Sequence, residues 1–238
     1  MTVFIHEPNV MAHFPRHYTG LITVMDFTNR ESLLPQTDKL RQSIESGASK
    51  DKIAQACEAW RQVFSQMGAK PKYKSSLEAL ADCFRERGKL YAINEIVDFY
   101  NHFSLHSANP MGAYDMDELS GNLRLTIVGK GRPFSPLGNP KSQQMTKDKE
   151  VGYADDAKVT CRYWNLQDCD ETKITETTKN ILFMFDLMAD NHDEAAAQYR
   201  QVAEAFSGVF SNLSYACGLT GAGAAQEVAL LKTAGNNV

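Results

Sequence analysis

Apolar positions fall into two rhythms along this chain. Early on they recur every three or four residues, as on the buried face of a helix; later they crowd into short runs, as in strands. "GLITVMDF" at 20–27 is dense in apolar and β-branched side chains and reads as an early strand. "TDKLRQSIESG" follows as a helix stopped by Gly47, and a second helix opens near Ser49. In that second helix Ile53, Cys57, Trp60, Phe64 and Met67 share a face, and Gly68 and Pro71 end it. Ser75 with Glu78 makes a capping box, opening a short helix that turns Leu77, Leu80, Ala81 and Phe84 inward. Residues 91–105 keep the helical period through Ile93, Ile96, Val97, Tyr100 and Phe103.

From Leu123 the pattern changes to short strands and turns: "LRLTIV", the Gly/Pro-rich "GKGRPFSPLGNP", then "VGYAD", "KVTCRYW" and "NILFMFDLM". Lys141–Glu150 is polar with few apolar anchors and reads as a mobile loop. A long closing helix is expected over 190–216, capped by Asn191 with Glu194 at its third position, and Tyr199, Val202, Phe206, Phe210 and Leu213 form its buried stripe. The Gly/Ala-rich residues 217–238 are expected to be a fraying tail. Helices first, strands in the middle and one closing helix predict an α+β fold. A single domain over 1–238 is expected, with an N-terminal strand and helices (1–76) packed on the remainder.

Composition changes little in this picture. The chain has 238 residues, 43% hydrophobic and 23% charged, as in an ordinary folded protein. No apolar run approaches the roughly 20 residues that cross a bilayer, so no membrane partner is expected. "MTVFIHEPNV" lacks the basic and apolar stretches of a secretory signal, and five irregularly spaced cysteines fit reduced thiols; a cytoplasmic location is expected. A net charge of −4 argues against a general nucleic-acid binder and against a DNA partner. Charge is uneven, however: between Trp60 and Leu90 seven Lys/Arg face three acidic residues. That excess, with Lys70, Lys72 and Lys74 at its centre, would suit an RNA phosphate backbone, and the plainer reading is a solvated helix–loop–helix surface.

Familiar chemical motifs fail one by one. "CGLTGAG" at 217–223 has the glycines of a phosphate loop but lacks the Lys-Ser/Thr and follows a helical pattern. Cys161 and Cys169 have no histidine nearby, and His102 and His106 lack a glutamate beside the first histidine. No Gly-x-Ser-x-Gly elbow is present. No metal and no cofactor are expected. Three polar stretches remain: Asn94, Asp98 and Asn101 along one helix; Asp155 and Asp156 ahead of Arg162, Trp164 and Asn165; and threonines at 172, 175, 177 and 178. Singly they read as a capped helix, a hairpin turn and a sheet edge. Together they place polar groups at strand ends.

The order "IVDFYN…NPMGAYDMDELSGNLRL…VGYADD…VTCRYWN…TKITETTKNILF" resembles the B3/B4 domain of the phenylalanyl-tRNA synthetase beta subunit, and more closely the free-standing B3/B4 proteins. The likeness runs from about Leu77 to Leu187 and extends back through "ACEAWRQVFSQMGAKP". It implies a β-sandwich core with flanking helices and an editing pocket where the ester of a wrongly attached tyrosine on tRNA is hydrolysed. Such an ester is already activated, so a positioned water and oxyanion stabilisation suffice. The synthetase pattern has arginine at Glu95, threonine at Tyr100, histidine at Gly112 and glutamate at Met184. All four positions differ here. A thioether in place of the buried acceptor forfeits a hydrogen bond worth roughly 1–3 kcal/mol, so selectivity for tyrosine is not expected.

The resemblance leads to three readings. The first is a stand-alone, tRNA-associated protein that deacylates mischarged tRNA in trans; the second is a non-catalytic RNA- or tRNA-binding module; the third is a sensor of an amino-acid-sized ligand. For the first, Asp115 and Arg162 are the candidate catalytic residues, Asp115 orienting water or ribose and Arg162 meeting an oxyanion or phosphate. Asn101, Gly112, Ala113, Tyr114, Asn165, Thr175 and Met184 are the candidate pocket. Asp115 has a plainer alternative, tying down its loop by accepting backbone N–H groups.

Overall fold

Two strands that are buried along nearly their whole length organise the molecule. The computed structural model describes residues 2–27, 32–210 and 214–230. In chain order it runs β1 (Val3–His6), α1 (Pro8–His13), β2 (His17–Met25), α2 (Leu34–Glu45), α3 (Lys50–Gln66), α4 (Ser76–Arg87), α5 (Glu95–Ser107) and β3 (Met111–Asp115). After a 3-10 turn at Met116–Glu118 come β4 (Leu123–Ile127), β5 (Pro133–Phe134), β6 (Gln144–Met145), β7 (Val151–Ala154), β8 (Val159–Arg162), β9 (Gln167–Asp168) and β10 (Ile181–Met188). Then follow α6 (His192–Val209), β11 (Ser214–Gly221) and β12 (Glu227–Ala229). The fold is α+β. One sheet has the order β12–β1–β4–β7–β8–β9 and the other β11–β2–β10–β3, with a small β5–β6 pair beside them.

The two sheets pack face to face because alternate residues of β2 and β10 point opposite ways. Leu21, Leu182 and Met184 enter the layer between the sheets, where they meet Phe4, Leu125 and Tyr153. Ile22, Val24, Phe183 and Phe185 enter a second layer with Phe99 and Phe103 of α5 and Phe206 of α6. Trp60 and Phe64 of α3 join the inter-sheet layer. Both faces of β2 and β10 are thus covered, and their sequences read as mostly apolar runs rather than alternating ones, broken by His17, Thr19 and Thr23 in β2 and by Asp186 in β10.

Helix starts follow their caps. Ser75 Oγ accepts from the Glu78 N–H at 3.2 Å, as the capping box requires. Asn94 accepts from the Val97 N–H at 3.0 Å and so begins α5 later than the expected residue 91. Ile93, expected on the buried face, is 63% exposed. The predicted loop over Lys141–Glu150 is held at both ends: Gln144–Met145 pairs with Pro133–Phe134, and Glu150 is fully buried against Arg162. β1 and α1 are too short to carry a period and were not foreseen.

The chain's last third corrects the expectation most. The closing helix ends at Val209 rather than 216, and β11 follows at Ser214–Gly221 where a frayed tail was expected. Its glycines are a packing requirement: a Cβ on Gly218 would come within 2.3 Å of Val228, and one on Gly221 within 2.4 Å of Tyr18. Glycine content that reads as looseness in sequence here permits close approach. Leu213 of the predicted stripe and residues 231–238 of the predicted tail lie outside the described residues.

Candidate functional site

The β3–β10 ladder sets Gly112 opposite Met184 and Tyr114 opposite Leu182. Strand alternation sends Tyr114 and Met184 into the space between the sheets and Ala113 to the helical side. Gly112 leaves a gap in that wall, since the nearest atom to a Cβ built there is Asp168 Oδ2, at 3.9 Å. A cavity of about 40 Å³ results, lined among others by Gly112, Tyr114, Tyr153, Trp164, Asn165, Asp168, Met184 and Asp186. A cavity of that size has room for water and little more.

Two carboxyl groups meet here, with different partners. Asp186 on β10 accepts hydrogen bonds from the Tyr153 hydroxyl at 2.6 Å and Asn165 Nδ2 at 2.8 Å, and pairs with His17 Nε2 at 3.2 Å. Burial holds the His17 imidazole below its ordinary pKa despite Asp186, so His17 is neutral and donates through Nε2. Asp168 on β9 accepts the Tyr114 hydroxyl at 3.3 Å. Burial pushes its carboxyl up to about 6; hydrogen bonds from Cys161 and Tyr114 oppose the rise, and the charge of Asp186 adds to it. Burial raises the Tyr114 and Tyr153 hydroxyls, which therefore stay protonated donors. It also raises the Cys161 thiol, which is no nucleophile. Among the described residues Trp164 Nε1 and Asn165 Oδ1 are buried without a hydrogen-bond partner, one donor and one acceptor in residues that line the cleft.

Such an arrangement is suited to moving a proton. A carboxyl pushed up to about 6 beside a water-sized cavity can serve as a general base at neutral pH. Among the described residues no group of three or more His, Cys, Asp or Glu is placed to hold a metal.

Of the residues singled out from sequence, Gly112, Tyr114, Asn165 and Met184 come together in this cleft. The others do not. Asp115, at the end of β3, accepts from the Asp117 N–H at 3.1 Å and the Thr178 hydroxyl at 2.6 Å, the loop-tying role. Arg162 is buried and forked onto Glu150, at 2.7 and 2.9 Å, with Nη1 on Gln144 at 2.8 Å. It lines a separate hollow of about 180 Å³, because it is one residue from Cys161 in an alternating strand. Thr175 lines a third hollow, of about 680 Å³, beside the start of α5. The expected convergence of Tyr114, Arg162 and Thr175 on one cavity therefore does not occur. Asn101 is half-buried on α5, outside the cleft lining, and Tyr100 packs against Phe183. Lys70 and Lys72 are exposed between α3 and α4, whereas Lys74 pairs with Asp82 at 2.5 Å.

Asp168, Asp186, Tyr153 and His17 were missed. Asp186 did carry a signal, a single charge inside "NILFMFDLM", since a charge in a buried strand must have partners. Asp168 carried none. A hollow of about 430 Å³ lies among α2, α3 and α4, but it is mostly apolar and its polar groups largely satisfy one another, Arg61 with Glu78 and Arg85 with Asp82. The smaller cleft, with its converging unpaired groups, is the better candidate.

A family model described as the B3/4 domain matches residues 59–210. Among solved structures, the chain is similar to an N-terminal fragment of the phenylalanyl-tRNA synthetase beta-subunit from Pyrococcus horikoshii, at 13% identity and a TM-score of 0.44. That match covers 90% of this chain and 50% of the other, so the chain spans about half the length of that fragment. No curated protein matches the sequence.

Proposed function

Because this chain belongs to the B3/4 domain family, we propose that it acts on aminoacylated tRNA, hydrolysing the ester of a mischarged amino acid in the cleft between its two sheets. One observation carries the reading: the Asp168 carboxyl, raised to about 6, stands beside the bare Cα of Gly112 at a water-sized cavity. In the proposed reaction Asp168 takes a proton from a water as its oxygen attacks the ester carbonyl. The tetrahedral oxyanion then collapses, the carbonyl–ribose bond breaks, and Asp168 returns the proton to the departing ribose oxygen. Free amino acid and tRNA leave. Trp164 Nε1, a buried donor without a partner among the described residues, is available to the oxyanion.

The test is release of labelled amino acid from a panel of misacylated tRNAs. Release that Asp168→Asn abolishes supports hydrolysis at this cleft. No release from any substrate, or release indifferent to Asp168→Asn, rejects it.

A second reading, a non-catalytic tRNA-binding module, is favoured by the cavity's volume of about 40 Å³, too small for most amino-acid side chains. Exposed Lys70 and Lys72 would then carry the contact. Tight, steeply salt-dependent tRNA binding without release, weakened by replacing those lysines, is its signature.

A further inference from the structure

His17 is joined to two residues that bring unpartnered polar atoms to the cleft, Trp164 directly and Asn165 through Asp186. The β2–β10 register sets Thr19 opposite Asp186 and His17 opposite Met188, so His17 reaches Asp186 along the diagonal of one sheet face. Its Nε2 meets Asp186 Oδ1 at 3.2 Å, beside the Tyr153 hydroxyl on the same oxygen at 2.6 Å. Asp186 Oδ2 accepts from Asn165 Nδ2 at 2.8 Å. With its amino end committed to Asp186, the Asn165 amide keeps Oδ1 on its opposite side, where among the described residues it has no hydrogen-bond partner.

The same imidazole packs edge-on against the Trp164 ring, with centroids 4.0 Å apart, and against Trp60 at 5.8 Å and His6 at 5.5 Å. It is buried, and its Nδ1 has no hydrogen-bond partner among the described residues, so the bond to Asp186 is the polar contact that orients the ring. Trp164 needs such a buttress. Its backbone is left-handed, with φ of 69° after 46° at Tyr163, a conformation costly for large side chains that persists where surrounding contacts over-determine it. Phe14 adds a second edge-on contact to the Trp164 ring at 5.1 Å. Both His17 and Phe14 precede residue 59, where the match to the family model begins. The segment ahead of the matched region thus braces the cleft wall.

We propose that His17 is a positioning residue for the cleft, holding Asn165 Oδ1 through Asp186 and Trp164 Nε1 by ring contact; its effect on turnover rests on the deacylation reading above. His17 itself meets neither the ester nor the attacking water and transfers no proton. Without its N–H, Asp186 loses one of the two donors on Oδ1, and the Asn165 amide is free to move with the carboxyl. Misplacing a polar group by about 1 Å costs up to roughly a hundredfold in rate, so a partial loss of this brace is expected to cost about tenfold.

Nitrogen NMR of the wild-type protein tests the orientation without requiring hydrolysis or a variant. A neutral His17 with its proton on Nε2 is expected; a proton on Nδ1 overturns the proposal, since Nε2 then has nothing to donate to Asp186. His17→Phe keeps a ring against Trp164 and removes the donor, whereas His17→Gln keeps a donor. Hydrogen exchange of the Asn165 side-chain amide is expected to quicken about tenfold in His17→Phe and to stay near the wild-type rate in His17→Gln. With misacylated tRNA, His17→Phe is expected to lower kcat about tenfold and leave KM within about twofold, and His17→Gln to recover most of the loss. A fall in Tm alone, with the amide and kcat unmoved, marks His17 as a packing residue and overturns the proposal, as does a rate loss confined to KM. The two proposals separate cleanly. An Asn165 amide that responds to His17→Phe while no variant, wild type included, hydrolyses any ester rejects the deacylase alone. Hydrolysis that Asp168→Asn abolishes and His17→Phe ignores rejects the positioning role alone.

Discussion

Cys161 and Asp168 stand opposite one another in the β8–β9 ladder, so a thiol that stays protonated faces a carboxyl that titrates near 6. In the proposed hydrolysis the Asp168 carboxylate is the base. The rate at subsaturating substrate is expected to rise with pH through about 6 and to level off above it. A flat profile from pH 5 to 8, or one that Asp168→Asn leaves intact, would remove this residue from the chemistry.

Stability carries the opposite sign. The folded state holds the Asp168 proton more tightly than the unfolded chain, whose carboxyl titrates at about 3.8. This group therefore favours folding fully below about pH 4, and the benefit is lost as pH rises through about 6. Asp168→Asn is expected to stabilise the protein at pH 8 by up to about 3 kcal/mol and to have little effect near pH 4. Urea unfolding at the two pH values measures the difference, and equal effects at both would contradict the assignment.

His6 works in the other direction. Burial, with the neighbouring His17, lowers its pKa to about 3, so the fold requires the neutral ring. Its contribution is complete above about 6.5 and is lost as pH falls toward 3. In the Asp168→Asn background, where the opposing carboxyl is gone, His6→Asn is expected to flatten the fall of Tm between pH 6.5 and 4. Parallel curves would show that His6 is not the group responsible.

Arg162 was a catalytic candidate from sequence, and its geometry predicts a structural phenotype. Its side chain and that of Glu150 are 7% and 0% exposed and pair in a fork. Arg162→Ala or Glu150→Ala alone is expected to cost about 3–5 kcal/mol, because each leaves a buried charge alone. The double variant Arg162→Met/Glu150→Leu is expected to recover most of that loss. Chemical denaturation decides it; single-variant losses below about 1 kcal/mol would mean that water reaches the pair.

Sequence spoke clearly where a signal was local. The Ser75–Glu78 and Asn191–Glu194 caps sit where their side chains predict, and the apolar runs of β2 and β10 are the two central strands. It spoke poorly where the deciding fact was strand parity. Arg162 and Cys161 are adjacent in the chain, yet only pairing with β9 determines that the carboxyl side, not the guanidinium side, faces Gly112. Asp168 became a candidate only once burial beside Asp186 had changed its acidity, a property no short window of residues contains. The end of α6 was misjudged for a similar reason: Gly218 and Gly221 are dictated by Val228 and Tyr18, which approach them only in the folded chain.

The last two described strands, β11 and β12, each complete one edge of a sheet. β1 lies between β4 and β12, and β2 lies between β10 and β11, so each early strand waits for a neighbour from the far end of the described chain, β12 at Glu227–Ala229 and β11 at Ser214–Gly221. A chain growing from the ribosome would hold two open, largely apolar strand edges until Ser214–Ala229 emerges. Its folding should be slow for its size, and its nascent form should lean on chaperones that shield such edges from one another.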